Sequence, residues 1–276
     1  MNSHSKTNQQ IVQFFWLTFL FSWILWLPGV LITYQLITPN ATINAANQVL
    51  KWIAGMGPSL AALYLIARSE GASGLKALFK RVLDFKLGIW YVPVFLLLPV
   101  ILVLAHLLNM LLFHASFPQA GILEEPWWIP ILLIIFYVMQ FSEELGWRGF
   151  ALDRLQRKWN ALVSSIVLGS VWAIWHLPMF LTKGFGQHDY HLPFGQFMIT
   201  LILVSILITW IQNNTKGSLL PAFVIHAFIN LSGDAVPLIE KSKEVQGNDT
   251  AWSIANMLLF VTIVIILSLA GMKHSK

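Results

Sequence analysis

Cysteine is absent from this chain of 276 residues. The absence excludes disulfides, cysteine-ligated zinc, iron–sulfur clusters and thiol nucleophiles. Charge is also scarce, because Asp, Glu, Lys and Arg make up 11% of the residues, whereas soluble domains carry about 25%. Apolar residues make up 57% of the chain, and its mean hydropathy is +0.69. This composition predicts an all-α polytopic membrane protein.

Eight segments are long and apolar enough to be predicted as membrane-spanning helices, which need about 20 residues each. They cover residues 11–36, 47–68, 88–115, 127–148, 160–182, 194–212, 217–234 and 251–271. No internal repeat, low-complexity tract or linker divides them. We therefore predict a single membrane domain over residues 1–276, and an even number of spans places both termini on the same side.

The distribution of lysine and arginine predicts which side that is. Thirteen of the 17 basic residues lie in segments on the side of the termini. The other four are Lys51, Lys183, Lys241 and Lys243. Since positively charged loops stay in the cytoplasm, we predict that both termini are cytoplasmic. The net charge of +5 is explained by this topology rather than by a nucleic-acid surface, so no nucleic-acid partner is expected.

Ionisable side chains within a span cost about 2.5–3.5 kcal/mol each and are candidates for functional sites. Three of the predicted spans carry such side chains or a polar neighbour. These residues are Glu143, Glu144, Arg148, His176, His226 and Asn230. The HExxH pattern of common zinc proteases does not occur in the chain.

Helical spacing predicts which of these side chains meet. Glu144 and Arg148 are four residues apart and can form an ion pair on one face of a helix. Glu143 points about 100° away from Glu144 and lacks that partner. His226 and Asn230 are also four apart, so they project into one volume.

A carboxylate, two imidazoles and an amide on separate spans can support hydrolysis in two ways. A carboxylate in apolar surroundings can act as a general base towards water, and histidine or asparagine donors can stabilise an oxyanion. Alternatively, the same groups can ligate a divalent metal that activates the water. The residues alone leave both chemistries open.

Three short motifs in this region resemble those of a known family. "EELGWR" (143–148) matches EExxxR, "WAIWH" (172–176) resembles FxxxH with Trp172 in the Phe position, and "HAFIN" (226–230) matches HxxxN/D. In this order they resemble the CAAX prenyl endopeptidase and bacteriocin-processing (CPBP, or Abi) intramembrane proteases, over about residues 125–235.

The resemblance implies a role for each motif residue. Glu143 would activate the attacking water, and His176 would share that water. His226 and Asn230 would stabilise the oxyanion, while Glu144, Arg148 and Trp172 would be supporting residues. If the enzyme needs a metal, with zinc the first candidate, its ligands would be Glu143, His176 and His226.

The expected protein is thus an intramembrane endopeptidase of a bacterial cell membrane, with a polar cavity open to the cytoplasm. It would act on membrane-associated or lipidated proteins or peptides, with the lipid bilayer as its surroundings and with either no cofactor or a divalent metal. Two alternatives remain: a non-catalytic immunity or scaffold protein, and a proton-coupled transporter in which Glu143, His176 and His226 relay protons.

One geometric problem follows from the predicted spans. In straight helices, Glu143 lies on the cytoplasmic half of its span and His176 lies beyond the midpoint of its own. At 1.5 Å per residue the mismatch in depth is on the order of 10–15 Å. The site can form only if a helix is shifted or bent, for example at Pro178.

Overall fold

The computed structural model describes residues 3–115, 127–235 and 250–269, with side chains for 7–115, 127–231 and 250–269. Within these ranges the chain is helical and contains no strand, which confirms the all-α prediction. The helices are α1 (Ser3–Thr33), α2 (Ala41–Ala54), α3 (Gly57–Val82), α4 (Tyr91–Phe113), α5 (Trp128–Met139), α6 (Phe141–Gly146), α7 (Leu152–Gln156), α8 (Ala161–Trp175), α9 (Leu177–Phe180), α10 (Gly186–Asp189), α11 (Phe194–Asn214), α12 (Leu220–Ala235) and α13 (Thr250–Leu269). A 3-10 turn (Gly88–Trp90) precedes α4, and a π-helical turn (Trp147–Ala151) joins α6 to α7.

The described helices include five that are long and apolar enough to span a membrane. These five segments are Thr7–Thr33, Gly88–Phe113, Trp128–Gln156, Phe194–Asn214 and Thr250–Leu269. Helices α2 and α3 are bent by 50° and count as a sixth if the pair is one span. A polytopic membrane protein is therefore confirmed.

The count of eight spans is not confirmed. Each predicted span coincides with a helix, but α8 and the apolar part of α12 (Leu220–Leu231) are shorter than a full span. Helix α8 ends at Trp175, and Pro178 follows in the first turn of α9. The topology and the cytoplasmic cavity remain predictions. Lys241, Lys243 and both ends of the chain lie outside the described residues.

Two glycines allow the helices that carry the polar residues to approach their neighbours closely. A Cβ on Gly146 of α6 would lie 2.4 Å from the carbonyl of Pro58 in α3. A Cβ on Gly169 of α8 would lie 2.7 Å from the Cα of Ile202 in α11. Since real Cβ contacts are not that short, any larger residue would push these helices apart.

Buried aromatic rings join α1, the π-helical turn and α8 into one core. The rings of Phe14 and Phe150 stack with centroids 5.1 Å apart, and Trp175 packs against Trp26 at 4.8 Å and against Trp147 at 5.8 Å. Aromatic pairs of this kind contribute about 0.5–1.5 kcal/mol beyond their buried area. The segment after Glu144 is thus held firmly between two other helices.

Arg81, near the end of α3, connects three segments around the polar residues. Its Nη1 atom lies 2.5 Å from a carboxylate oxygen of Asp153 in α7, and its Nε donates to the Gly217 carbonyl at 2.8 Å. The Leu219 N–H donates in return to the Arg81 carbonyl at 3.0 Å. These bonds fix the start of α12 relative to α3 and α7.

Candidate active site

The motif EELGWR spans α6 and the π-helical turn, and it places its ion pair in the protein interior. Arg148 Nη1 donates to Glu144 Oε1 at 2.8 Å, and both side chains are fully buried. The pairing expected from the four-residue spacing is therefore present. Turns of the π type are rare and frequently occur at functional sites.

Glu144 has a second partner that the spacing did not predict. His226 Nδ1 lies 2.8 Å from the same Glu144 oxygen, although the two residues are 82 positions apart. Since a carboxylate can only accept, Nδ1–H of His226 is the donor. This bond leaves Nε2 as the ring nitrogen that can face another group. Glu144 thus orients both Arg148 and His226.

Glu143 is half-buried and bonds to a different residue from its neighbour. Its Oε2 atom accepts a hydrogen bond from the indole Nε1–H of Trp172 at 2.8 Å. The two adjacent carboxylates therefore face different surroundings, as their angular separation on the helix predicts. The second oxygen of Glu143 is not held by this bond.

Trp172, in the last turn of α8, contacts several of the polar site residues. The guanidinium carbon of Arg148 lies 4.2 Å from the centroid of the indole ring, a distance typical of a cation–π interaction. The His226 ring packs edge-on at 5.0 Å. The Trp172 carbonyl accepts a hydrogen bond from Nδ1–H of His176 at 2.8 Å. The structure thus brings together residues of α6, the π-helical turn, α8 and α12.

His176 follows the last residue of α8 and is buried. Because its Nδ1–H donates to a backbone carbonyl, Nε2 is the nitrogen left to interact with another group. Trp175 and Phe197 pack edge-on against the imidazole at 4.8 and 5.2 Å. Both histidines therefore use Nδ1 as a fixed donor and keep Nε2 for other contacts.

Asn230 is the predicted site residue that stands apart. It lies one helical turn after His226 on α12, and its side chain is exposed. Among the described residues, no hydrogen bond joins Asn230 to Glu143, Glu144, Arg148, His176 or His226. Its predicted role therefore depends on its position beside His226.

A metal ion in this site would need three suitably placed protein ligands. The described part of the chain contains no group of three His, Asp or Glu side chains that could hold a metal ion. Glu143, His176 and His226 as placed do not fit a metal centre. Glu143 Oε2 is instead bonded to the Trp172 indole. No step is therefore assigned to a metal, and the two predicted alternatives, no cofactor or a divalent metal, both remain predictions.

Trp172 contacts both residues for which straight spans predict a mismatch in depth. Its indole reaches Glu143, while its carbonyl reaches His176 one turn further along. Glu143 and His176 therefore both bond to Trp172, which brings them to neighbouring positions. The close approach of α6 to α3 at Gly146 further sets where the motif lies.

Comparison with known proteins agrees with these motifs. Residues 125–232 match the family model described as Type II CAAX prenyl endopeptidase Rce1-like. A protein of Methanococcus maripaludis named CAAX prenyl protease 2 is 27% identical over 256 residues, which cover 89% of this chain and 91% of the relative. The three motifs all lie within the matched region. The chain is thus similar to the Rce1-like CAAX prenyl endopeptidases over residues 125–232, and to a CAAX prenyl protease over most of its length.

Proposed function

We propose that this protein hydrolyses a peptide bond in membrane-associated or lipidated proteins, using a water molecule activated by Glu143. The observation that carries the proposal is the set of hydrogen bonds centred on Trp172 and Glu144. It gives Glu143 a fixed orientation and half-buried surroundings. It also occupies Nδ1 of His176 and of His226, so that Nε2 of each ring is available for other contacts.

In the proposed reaction, Glu143 removes a proton from the water as the water oxygen attacks the scissile carbonyl carbon. His176 Nε2 accepts a hydrogen bond from the same water and helps to orient it. When the tetrahedral intermediate collapses, the C–N bond breaks and the proton on Glu143 passes to the leaving amine. The products are a carboxylic acid and an amine, with no covalent enzyme intermediate.

The negative charge that develops on the carbonyl oxygen needs donors close to it. When the His226 ring carries protons on both nitrogens, Nε2–H can donate to this oxygen while Nδ1–H remains bonded to Glu144. Asn230 is one turn further along α12 and can supply a second donor through its amide. Arg148 stabilises the arrangement by neutralising the buried Glu144.

The proposed substrate class is based on the similarity to a prenyl protease and on the surroundings of the site. The relative from Methanococcus maripaludis is named as a prenyl protease. We propose that this chain also acts on substrates with a lipidated C-terminus. A lipid-modified tail partitions into the bilayer, so it can present its peptide bond to residues on membrane helices. A peptide or protein at the membrane is the partner that this site requires.

The experiment that tests the proposal uses the purified full-length chain reconstituted in liposomes. We expect it to cleave a C-terminally farnesylated peptide faster than the same peptide without the lipid, with products identified by mass spectrometry. Absence of cleavage for both peptides, with proton-coupled uptake into the same liposomes, would support the transporter alternative. Protection against a bacteriocin that survives E143Q would support the immunity alternative.

A chelation experiment separates the water-only reaction from the metal-assisted one. Because the described site lacks three suitably placed ligands, we expect kcat to stay within about twofold after dialysis against EDTA. Metal analysis of the same sample should give well under one equivalent of zinc per chain. Activity that is lost on dialysis and restored by zinc alone would contradict this expectation.

A further inference from the structure

Trp172 stands where the family motif has phenylalanine, and its indole N–H is a donor that phenylalanine lacks. This N–H lies 2.8 Å from Glu143 Oε2, and the side chain is 1% exposed. We propose that Trp172 is a positioning residue that holds the Glu143 carboxylate in its reactive orientation. This inference rests on the proposed role of Glu143.

A free glutamate side chain samples many rotamers, and fixing one conformation costs conformational entropy. The indole N–H binds one carboxylate oxygen and leaves Oε1 to face the water. Placing a general base within a narrow range of positions is a large part of its effectiveness. The Trp172 N–H therefore holds the partly exposed Glu143 side chain in one orientation, in which it can act as a general base.

The donor can perform this task because the indole is itself immobilised. Arg148 stacks on its ring at 4.2 Å, and the His226 ring contacts it at 5.0 Å. Arg148 and His226 are both held by Glu144 Oε1. The two adjacent glutamates are thus connected through Trp172, and Glu144 indirectly controls the position of Glu143.

Trp172 also sets the position of His176, but through its backbone carbonyl. A substitution that removes the N–H at position 172 breaks the bond to Glu143, whereas the backbone carbonyl that bonds to His176 is kept. The contribution of the indole N–H can therefore be measured separately from that of the imidazole.

Two variants separate the N–H from the bulk of the ring. W172F keeps an aromatic ring and removes the donor. W172H loses the six-membered ring but keeps an N–H two bonds from Cγ, as in tryptophan. We expect W172F to lower kcat by about 10- to 100-fold, the range for a hydrogen bond to a charged group. The KM should change by less than about twofold, and W172H should keep a higher kcat than W172F.

Trp147 provides the matched control. Its indole is fully buried, and its Nε1 has no hydrogen-bond partner in the described part of the chain. W147F removes the same atoms from the same kind of core, and we expect its kcat to remain within about twofold of wild type. Equal losses in W147F and W172F would overturn the inference, as would a kcat in W172F that matches or exceeds that of W172H.

A spectroscopic measurement tests the hydrogen bond without relying on activity. The 13 tryptophans give indole N–H resonances in detergent micelles, and the one lost in W172F identifies Trp172. We expect E143A to shift that resonance and to leave the Trp147 resonance in place. If W172F does not fold, benzothienylalanine at position 172 replaces the N–H by sulfur at nearly unchanged shape, and the same fall in kcat is expected.

Failure of this inference is distinguishable from failure of the proposed function. If wild type cleaves peptide and E143Q does not, but W172F cleaves at the wild-type rate, the function stands and the positioning role is wrong. If wild type cleaves no peptide, the proposed function is wrong. The E143A shift of the Trp172 resonance then still decides whether the indole holds Glu143, and an unchanged resonance would overturn the inference.

Discussion

Replacement of Glu143 by glutamine is expected to reduce kcat by about 10²- to 10⁴-fold, the range for loss of a general base. Glutamine keeps a carbonyl oxygen that can accept the Trp172 indole N–H now bonded to Glu143 Oε2. It cannot accept a proton from water. The side chain should therefore stay in place while the chemical step fails, and KM should change little. Steady-state kinetics in liposomes, with a thermal melt of each sample, measure both effects.

Glu70 offers a matched control for E143Q. It is paired with Arg154 at 2.7 Å, and 46% of its side chain is exposed. E70Q makes the same chemical change away from the site, and the buried Arg154 keeps its hydrogen bonds to Gln10 and to the Phe150 carbonyl. We expect its kcat to remain within about twofold of wild type. An E143Q enzyme as active as E70Q would show that another group activates the water.

Replacement of Glu144 by glutamine is expected to lower the free energy of unfolding more than E143Q or E70Q does. Arg148 and Glu144 are fully buried, and removing one partner of a buried pair typically costs about 3–5 kcal/mol because the other charge remains uncompensated. The bond to His226 would also lose its charged acceptor. The apparent Tm in detergent should fall, and kcat should fall with it.

Two further variants test whether an uncompensated buried charge causes the loss of stability in E144Q. Arg81 and Asp153 are 25% and 28% exposed, so D153N should cost much less than E144Q. The double variant E144Q/R148M removes both charges and should recover a large part of the loss in Tm. An E144Q variant no less stable than D153N would rule out this explanation.

Much of the fold and part of the site could be predicted from local sequence. Long apolar runs predicted the helices, and a helix was found at each predicted span even though the number of full spans is not confirmed. The four-residue spacing predicted the Glu144–Arg148 pair. It also predicted that Glu143 faces elsewhere, because adjacent residues on a helix are rotated by about 100°.

Long-range contacts could not be predicted in this way. The bond from His226 to Glu144 joins positions 82 apart, and the bond from Trp172 to Glu143 joins positions 29 apart. Helical periodicity states which side of a helix a residue occupies but not which other helix faces that side. The sequence shows tryptophan in the phenylalanine position of the motif, but only folding places Glu143 where it can accept the indole N–H.

A helical membrane protein could be predicted from the amino-acid sequence alone, and the three motifs supply chemical groups in an order that resembles one protease family. Those properties depend on composition and on local spacing, so they are the same however the helices pack against one another. The packing of the helices was needed to show that Arg148 and His226 share Glu144 and that Trp172 bonds to Glu143. Such partners are selected by packing, because a buried polar group must find its hydrogen bond on whichever helix lies against it.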